Sequence, residues 1–135
     1  MSFSELLFGP KVPAVTVEQL HTVIKSGEKF YLLDVRTQGE YDEAHVGVTN
    51  ALIPYDIVNL HVDRLPADKS IPIYCICRSG RRSAHSTQLL RSVGYEQVFN
   101  VTGGIIAWAR LAYDVRSGTQ SRDTGERPPG FFSLA

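Results

Sequence analysis

The sequence predicts an α/β fold in which a mostly parallel central sheet carries helices on both faces. Two nearly unbroken apolar runs, at residues 30–35 and 71–76, are typical of strands that are covered on both sides. Between residues 71 and 101 the pattern changes from strand to helix and back to strand, which is how neighbouring parallel strands are connected. The chain has 135 residues, 43% of them hydrophobic, so we expect one soluble domain with a substantial core.

A capping box marks the start of the first helix. Thr16 is followed three residues later by Gln19, and the apolar side chains that come next repeat at helical spacing as far as Gly27. These side chains are Val17, Leu20, Val23 and Ile24. The pattern predicts an amphipathic helix before the first apolar run.

The second half of the chain holds two more strands and two more helices. Pro72 lacks a backbone donor, so it belongs at the start of the strand in residues 71–76. A helix is then predicted to end at Gly94, and residues 97–101 form a third short strand. Apolar residues on the predicted helix are Ala84, Leu90 and Val93, with Thr87 on the same face. Gly103 opens a last short helix, whose predicted apolar side is formed by Ile105, Ile106, Trp108 and Leu111.

These patterns divide the chain into three parts. Residues 1–14 are a lead-in, and residues 15–115 carry the strand and helix signals. Residues 116–135 are rich in Gly, Pro, Ser and charge without periodicity, which predicts a flexible tail. Phe131 and Phe132 are the aromatic exceptions in this polar tail, and such a pair indicates docking on the domain or on a partner.

Composition excludes several classes of protein. Acidic and basic residues balance at 14 each, so no overall field attracts nucleic acid or an anionic membrane. No stretch approaches the ~20 apolar residues of a membrane span. A basic segment followed by an apolar run, typical of a secretory signal, is not found at the amino terminus. We therefore expect a cytoplasmic protein without nucleic-acid or membrane partners.

The cysteines and histidines do not have the spacing of a metal site. Cys75 and Cys77 lack a second cysteine pair, and the histidines are scattered: His21, His45, His61 and His85. We expect no metal and no cofactor. His21 and His85 lie on predicted helices and are expected to face solvent. His45 is a candidate to brace the site through a hydrogen bond.

The chemistry is predicted at residues 77–83, Cys-Arg-Ser-Gly-Arg-Arg-Ser, between a strand and a helix. A cysteine there faces the backbone N–H groups of a tight loop and the positive end of a helix dipole, both of which stabilise an anionic sulfur. Such cysteines can have a pKa lowered from about 8.5 to roughly 3.5–7.5. Cys77 is therefore the candidate nucleophile.

Cys75 supports a competing interpretation. Cys75 and Arg81 are separated by five residues, the spacing of cysteine phosphatases. That assignment starts the catalytic loop inside an apolar strand and places Arg82 where Ser or Thr is expected, so we predict instead that Cys75 is a buried strand residue. Its side chain should lie on the same sheet face as that of Cys77, where a disulfide between the two would be strained.

Asp34 and Arg36 end another predicted strand, so their side chains belong at the same rim as Cys77. They are candidate supporting residues. The simpler interpretation is that Asp34 caps a turn and that Arg36 pairs with Glu40, four residues further on.

These motifs resemble those of a single-domain rhodanese, a sulfurtransferase. Residues 77–83 match the six-residue active loop of that family and the serine that opens its helix. Residues 33–36, Leu-Asp-Val-Arg, with Glu40 and Tyr41 resemble its first block, and residues 103–105, Gly-Gly-Ile, with Trp108 resemble its last. The resemblance covers residues 15–115, while the middle block, residues 44–48, departs from the usual pattern.

The resemblance implies a three-layer rhodanese-like fold and a sulfurtransferase mechanism. Cys77 would take a sulfur from an anionic donor such as thiosulfate, hold it as a persulfide, and pass it to cyanide or to a small-molecule or protein thiol. The substrate-binding residues would be Arg78, Ser79, Gly80, Arg81, Arg82 and Ser83, with Arg78 and Arg82 as the contacts for the donor anion. The supporting residues would be Asp34, Arg36 and His45. The resemblance also allows a non-catalytic binding or regulatory module, which would keep the fold without turnover.

Overall fold

The structure is a computed structural model that describes residues 11–119. Its strands are β1 (Ala14–Val15), β2 (Tyr31–Asp34), β3 (His45–Val46), β4 (Ala51–Leu52), β5 (Ile73–Ile76), β6 (Val98–Val101) and β7 (Val115–Arg116). Its helices are α1 (Val17–Ser26), α2 (Gln38–Glu43), α3 (Arg81–Ser92) and α4 (Gly104–Arg110), with 3-10 segments at Tyr55–Leu60 and Val62–Arg64. Phe131 and Phe132 lie outside the described residues.

The central sheet has five parallel strands in the order β1-β6-β5-β2-β4. Strands β3 and β7 form a separate antiparallel pair. The chain passes from β5 through α3 to the neighbouring parallel strand β6, as the sequence predicts. Because β5 is the middle strand, the residue that follows it lies at the centre of the carboxyl edge of the sheet.

Helices cover both faces of this sheet and confirm the three-layer α/β prediction. On one face, Leu32 and Ile76 pack with α1 and α4, whose buried side chains are Val17, Leu20, Ile105 and Trp108. On the other face, Leu33 and Cys75 pack with Leu90 of α3 and with Val58. Adjacent strand residues point to opposite faces, so a strand of continuous apolar sequence is needed where both faces are buried.

Local signals place both ends of α1 correctly. Thr16 and Gln19 form the predicted capping box, and Gly27 ends α1 with a φ of 79°. The predicted helices were extended too far at two carboxyl ends: Val93 and Leu111 are exposed. Each follows the last residue of its helix, where helical spacing no longer determines which way a side chain points.

The carboxyl-terminal part of the described chain packs against α2. Arg116 pairs with His45 in the β7–β3 ladder. The Ser117 hydroxyl donates to the Glu43 carbonyl at 3.1 Å, and the Gly118 N–H donates to the Asp42 carbonyl at 2.9 Å. Ordered contacts thus continue three residues past residue 115. Within the described residues, no helix combines the length and apolar character needed to cross a membrane.

Candidate active site

The loop between β5 and α3 forms a cup around the sulfur of Cys77. Cys77 directly follows β5, and α3 begins four residues later at Arg81. Gly80 precedes that helix with a φ of 108°, a backbone conformation that side-chain-bearing residues rarely adopt. This confirms the need for glycine there. The turn aims backbone N–H groups at the sulfur.

The sulfur of Cys77 is surrounded by hydrogen-bond donors. The Gly80 N–H lies 3.1 Å from Sγ and the Ser83 hydroxyl 3.2 Å from it, and the cysteine is 1% exposed. Burial by itself raises the pKa of the Cys77 thiol, but donors from the Ser83 hydroxyl and from the N–H groups of Ser83, Gly80 and Ser79 outweigh it. The net result is a lowered pKa, as expected for a cysteine at a helix start.

Arg82 is paired with the carboxylate of Glu40, which the sequence spacing assigned to Arg36. Its two terminal nitrogens each lie 2.8 Å from an oxygen of Glu40. This bidentate contact with Arg82 lowers the pKa of Glu40 to about 2. The expected pairing of Arg36 with Glu40 is therefore wrong for the side chains, since Arg36 approaches only the Glu40 carbonyl, at 3.4 Å. The ion pair ties α3 to α2.

The other loop side chains face solvent. Arg78, Ser79 and Arg81 are exposed. Within residues 11–119, neither Arg78 nor Arg81 takes part in an ion pair. Their charges are therefore more available to a bound anion than that of Arg82.

Asp34 and Arg36 form a buried ion pair at the carboxyl end of β2. Arg36 is 4% exposed, and its Nε and Nη2 atoms lie 3.0 and 2.8 Å from Asp34 oxygens. Asp34 also accepts the Arg36 N–H, the turn-capping role expected from the sequence. Nη2 of Arg36 donates to the Ala44 carbonyl at 2.7 Å, directly after α2. The pair supports α2, which presents Glu40 to Arg82.

His45 braces α2. Its ring is fully buried, stacks on Tyr41 at 3.7 Å, and its Nδ1 lies 2.7 Å from the Tyr41 carbonyl. His21 was expected to face solvent, but it is half-buried and stacks on Tyr113 at 3.9 Å. His85 is exposed as predicted.

The first turn of α4 closes the back of the loop. The Ile105 N–H donates to the Cys77 carbonyl at 2.9 Å, and the Ile106 N–H donates to the Arg78 carbonyl at 3.2 Å. Gly104 has a φ of 59°, and a Cβ there would lie 2.5 Å from the Arg78 carbonyl oxygen and closer still to that of Cys77. Glycine is therefore required for α4 to approach the loop.

Asn100 is a site residue that sequence reasoning missed. It lies in β6, and its Nδ2 donates to the Gly80 carbonyl at 3.1 Å. Its Oδ1 lies 2.5 Å from the Ser83 hydroxyl. The signal in the sequence was the one amide among the residues of β6, Val98–Val101, and its partners depend on tertiary packing.

Cys75 is a buried strand residue, as predicted. It lies inside β5, is fully buried, and packs in the same cluster as Cys77. Burial raises the pKa of Cys75 to about 12, against a smaller opposing hydrogen bond from Thr87. A thiol with so high a pKa forms little thiolate near neutral pH, which disfavours a phosphatase loop that starts at Cys75.

A small cavity opens beside the loop. It has a volume of about 200 Å³, and the residues that line it include Arg78, Ile105, Ile106, Glu40 and Glu43. A larger cavity of about 350 Å³ lies near Tyr31 and Leu65, and none of the predicted site residues lines it. Among the described residues, no group of three or more His, Cys, Asp or Glu side chains is arranged to hold a metal ion.

Comparison with known proteins finds a family match over most of the chain. A family model described as the rhodanese-like domain matches residues 16–111. A relative called thiosulfate sulfurtransferase 18, from Arabidopsis thaliana, is 32% identical over 131 residues, which cover 86% of this chain and 92% of that protein. The chain is thus similar to a protein of nearly the same length that is named as a sulfurtransferase.

Two further matches show the range of the likeness. The probable adenylyltransferase/sulfurtransferase MoeZ of Mycobacterium tuberculosis is 32% identical over 102 residues, which cover 74% of this chain. The matched part spans only 25% of the length of MoeZ. A crystal structure of a rhodanese-like domain protein from Staphylococcus aureus superposes with a TM-score of 0.65 at 27% identity, covering 71% of this chain and 90% of that one.

Proposed function

The chain belongs to the rhodanese-like domain family, and from that membership we propose that it is a sulfurtransferase whose carrier is Cys77. It would move a sulfane sulfur from an anionic donor such as thiosulfate to cyanide or to a thiol. The observation that carries the proposal is the donor-lined cup around a cysteine of lowered pKa. A family member that served only as a binding module would not need an activated thiol, so this observation also favours turnover.

The first half-reaction forms a persulfide. The Cys77 thiolate attacks the outer sulfur of thiosulfate and forms a new S–S bond. The old bond to the sulfonate sulfur breaks, and its electron pair leaves with sulfite. The charge then rests on the outer sulfur of the persulfide, for which preorganised N–H and hydroxyl donors are the suitable partners.

The second half-reaction returns the enzyme to its starting state. Cyanide or a thiolate attacks the outer sulfur of the persulfide, and the electron pair of the broken S–S bond returns to Cys77. With cyanide the product is thiocyanate. A thiol acceptor leaves as a persulfide of its own, and either a small molecule or a protein thiol fits this scheme.

Arg78 and Arg81 are the proposed contacts for the donor anion. Both are exposed at the mouth of the loop, whereas Arg82 is paired with Glu40. The two guanidinium groups would attract the anion locally, although the formal net charge of the protein is zero.

The direct test is the mass of the protein after treatment with thiosulfate. The protein should gain one sulfur atom, and cyanide should remove it. Cys77→Ser should gain none, while the matched control Cys75→Ser should still gain one, because Cys75 is a buried strand thiol. An adduct on Cys77→Ser would contradict the proposal. So would turnover of an aryl phosphate that depends on Cys75.

A further inference from the structure

The hydroxyl of Ser83 lies between two acceptors and has one proton to give. Its oxygen is 3.2 Å from the sulfur of Cys77 and 2.5 Å from Oδ1 of Asn100. Ser83 is fully buried. A serine hydroxyl carries a single donor proton, so it cannot donate to both neighbours at once.

The orientation of Asn100 is fixed by its other contact. A backbone carbonyl only accepts, so the Gly80 carbonyl at 3.1 Å requires the NH₂ group of Asn100 on its side. This leaves Oδ1 as the atom that faces Ser83. The backbone of Asn100 is held within the sheet by the register of β6 with Cys75 on β5.

The two protonation states of Cys77 therefore need different arrangements of one proton. When Cys77 is a thiol, its S–H donates to the Ser83 oxygen, and the Ser83 hydroxyl donates to Asn100. When Cys77 is a thiolate, Ser83 must turn its proton to the sulfur, and Oδ1 of the half-buried Asn100 loses that hydrogen bond. Leaving a partly buried acceptor without this partner is unfavourable.

We propose that Asn100 is a positioning residue that competes with the sulfur of Cys77 for the hydroxyl proton of Ser83, and so restrains thiolate formation. Asn100 shifts the balance toward the thiol, while the loop N–H groups shift it toward the thiolate. The inference deepens the proposed function: what it means for sulfur transfer rests on that function. Its test concerns ionisation alone and does not require sulfur transfer.

Other charged or titratable groups near Cys77 are left in place by this test. Arg82 of α3 is paired with Glu40 of α2, and Cys75 of β5 packs beside Cys77. The buried pair of Asp34 and Arg36 ends β2. Arg78 is exposed on the loop. A change in the ionisation of Cys77 in the variants below is thus assigned to Ser83 and Asn100.

The experiment is a pH titration of the ultraviolet absorbance of the thiolate, with Cys77→Ser subtracted as the blank. Asn100→Ala should lower the pKa of Cys77 by about one unit, roughly the effect of one hydrogen bond to a charged group. Ser83→Ala should raise it by a similar amount. In the double variant the pKa should equal that of Ser83→Ala, because without the hydroxyl there is no proton for Asn100 to take.

A purely structural role for Asn100 predicts the opposite sign. Loss of its bond to the Gly80 carbonyl would loosen the loop and raise the pKa of Cys77 in Asn100→Ala. A raised or unchanged pKa, or additive effects in the double variant, would overturn the proposal. Asn100→Leu keeps the branched shape and the number of side-chain heavy atoms without the amide, and it replaces Asn100→Ala if that protein does not fold. Thr102→Ala, at an exposed position just beyond β6, is the control and should leave the titration unchanged.

If the wild type gains no sulfur from thiosulfate while these shifts in pKa occur as expected, the proposed function fails and the inference about Asn100 stands. If sulfur transfer occurs but Asn100→Ala does not lower the pKa, the inference fails alone.

Discussion

Replacing Gly104 with alanine tests whether the close approach of α4 builds the cysteine loop. The φ of 59° is in the left-handed region, which costs a residue with a Cβ about 1–2 kcal/mol. The new Cβ would also displace the carbonyls of Cys77 and Arg78 and weaken the two hydrogen bonds that they accept from α4. Each such bond contributes about 1 kcal/mol. The expected loss in the free energy of unfolding is therefore about 3–4 kcal/mol.

Gly27→Ala is the matched control for the backbone contribution. Gly27 has a φ of 79°, and nothing lies within 4 Å of a Cβ placed there. It should lose only about 1–2 kcal/mol. The two variants should differ by about 2 kcal/mol, or roughly 8 °C in melting temperature for a domain of this size.

The assays are denaturant unfolding and the titration of the Cys77 thiol. Gly104→Ala should raise the pKa of Cys77, since its loop donors move away from the sulfur, while Gly27→Ala should leave it unchanged. Equal loss of stability in both variants would refute the clash with the loop. A pKa of Cys77 that is the same in Gly104→Ala as in the wild type would refute the idea that α4 positions the donors.

Three further outcomes are expected. At pH values above 4.5, the wild type should be more stable than Glu40→Gln by about 1 kcal/mol. This difference should shrink as the pH falls toward 2, because the folded-state pKa of Glu40 is lowered from 4.5 to about 2. A difference in denaturant unfolding that does not depend on pH would contradict this. Arg78→Ala should raise the KM for thiosulfate several-fold, whereas Arg110→Ala, an exposed control, should not; equal KM values would place the anion elsewhere. A chain that ends at residue 119 should melt within a few degrees of the full chain, and a large drop would show that Phe131 and Phe132 dock on the domain.

Much of the fold could be predicted because its signals are local. Each of these signals specifies structure within a few residues: the capping box at Thr16, the glycine at position 27 that can adopt a positive φ, and the two apolar runs. The same holds for the position of the cup around Cys77, since a strand, a tight loop and a helix start follow one another there and bring N–H groups next to the sulfur. Fold class and candidate nucleophile therefore follow from sequence alone.

Partners of the site side chains were decided by tertiary structure. Spacing along the chain favoured Glu40 with Arg36, but the docking of α2 against α3 pairs Glu40 with Arg82, 42 residues away. Likewise, Asn100 reaches Ser83 only because β6 lies next to β5 in the sheet. A local pattern fixes where a side chain starts and which way it points. The length, register and packing of distant elements decide what it meets, and these depend on the burial of apolar surface by the whole domain.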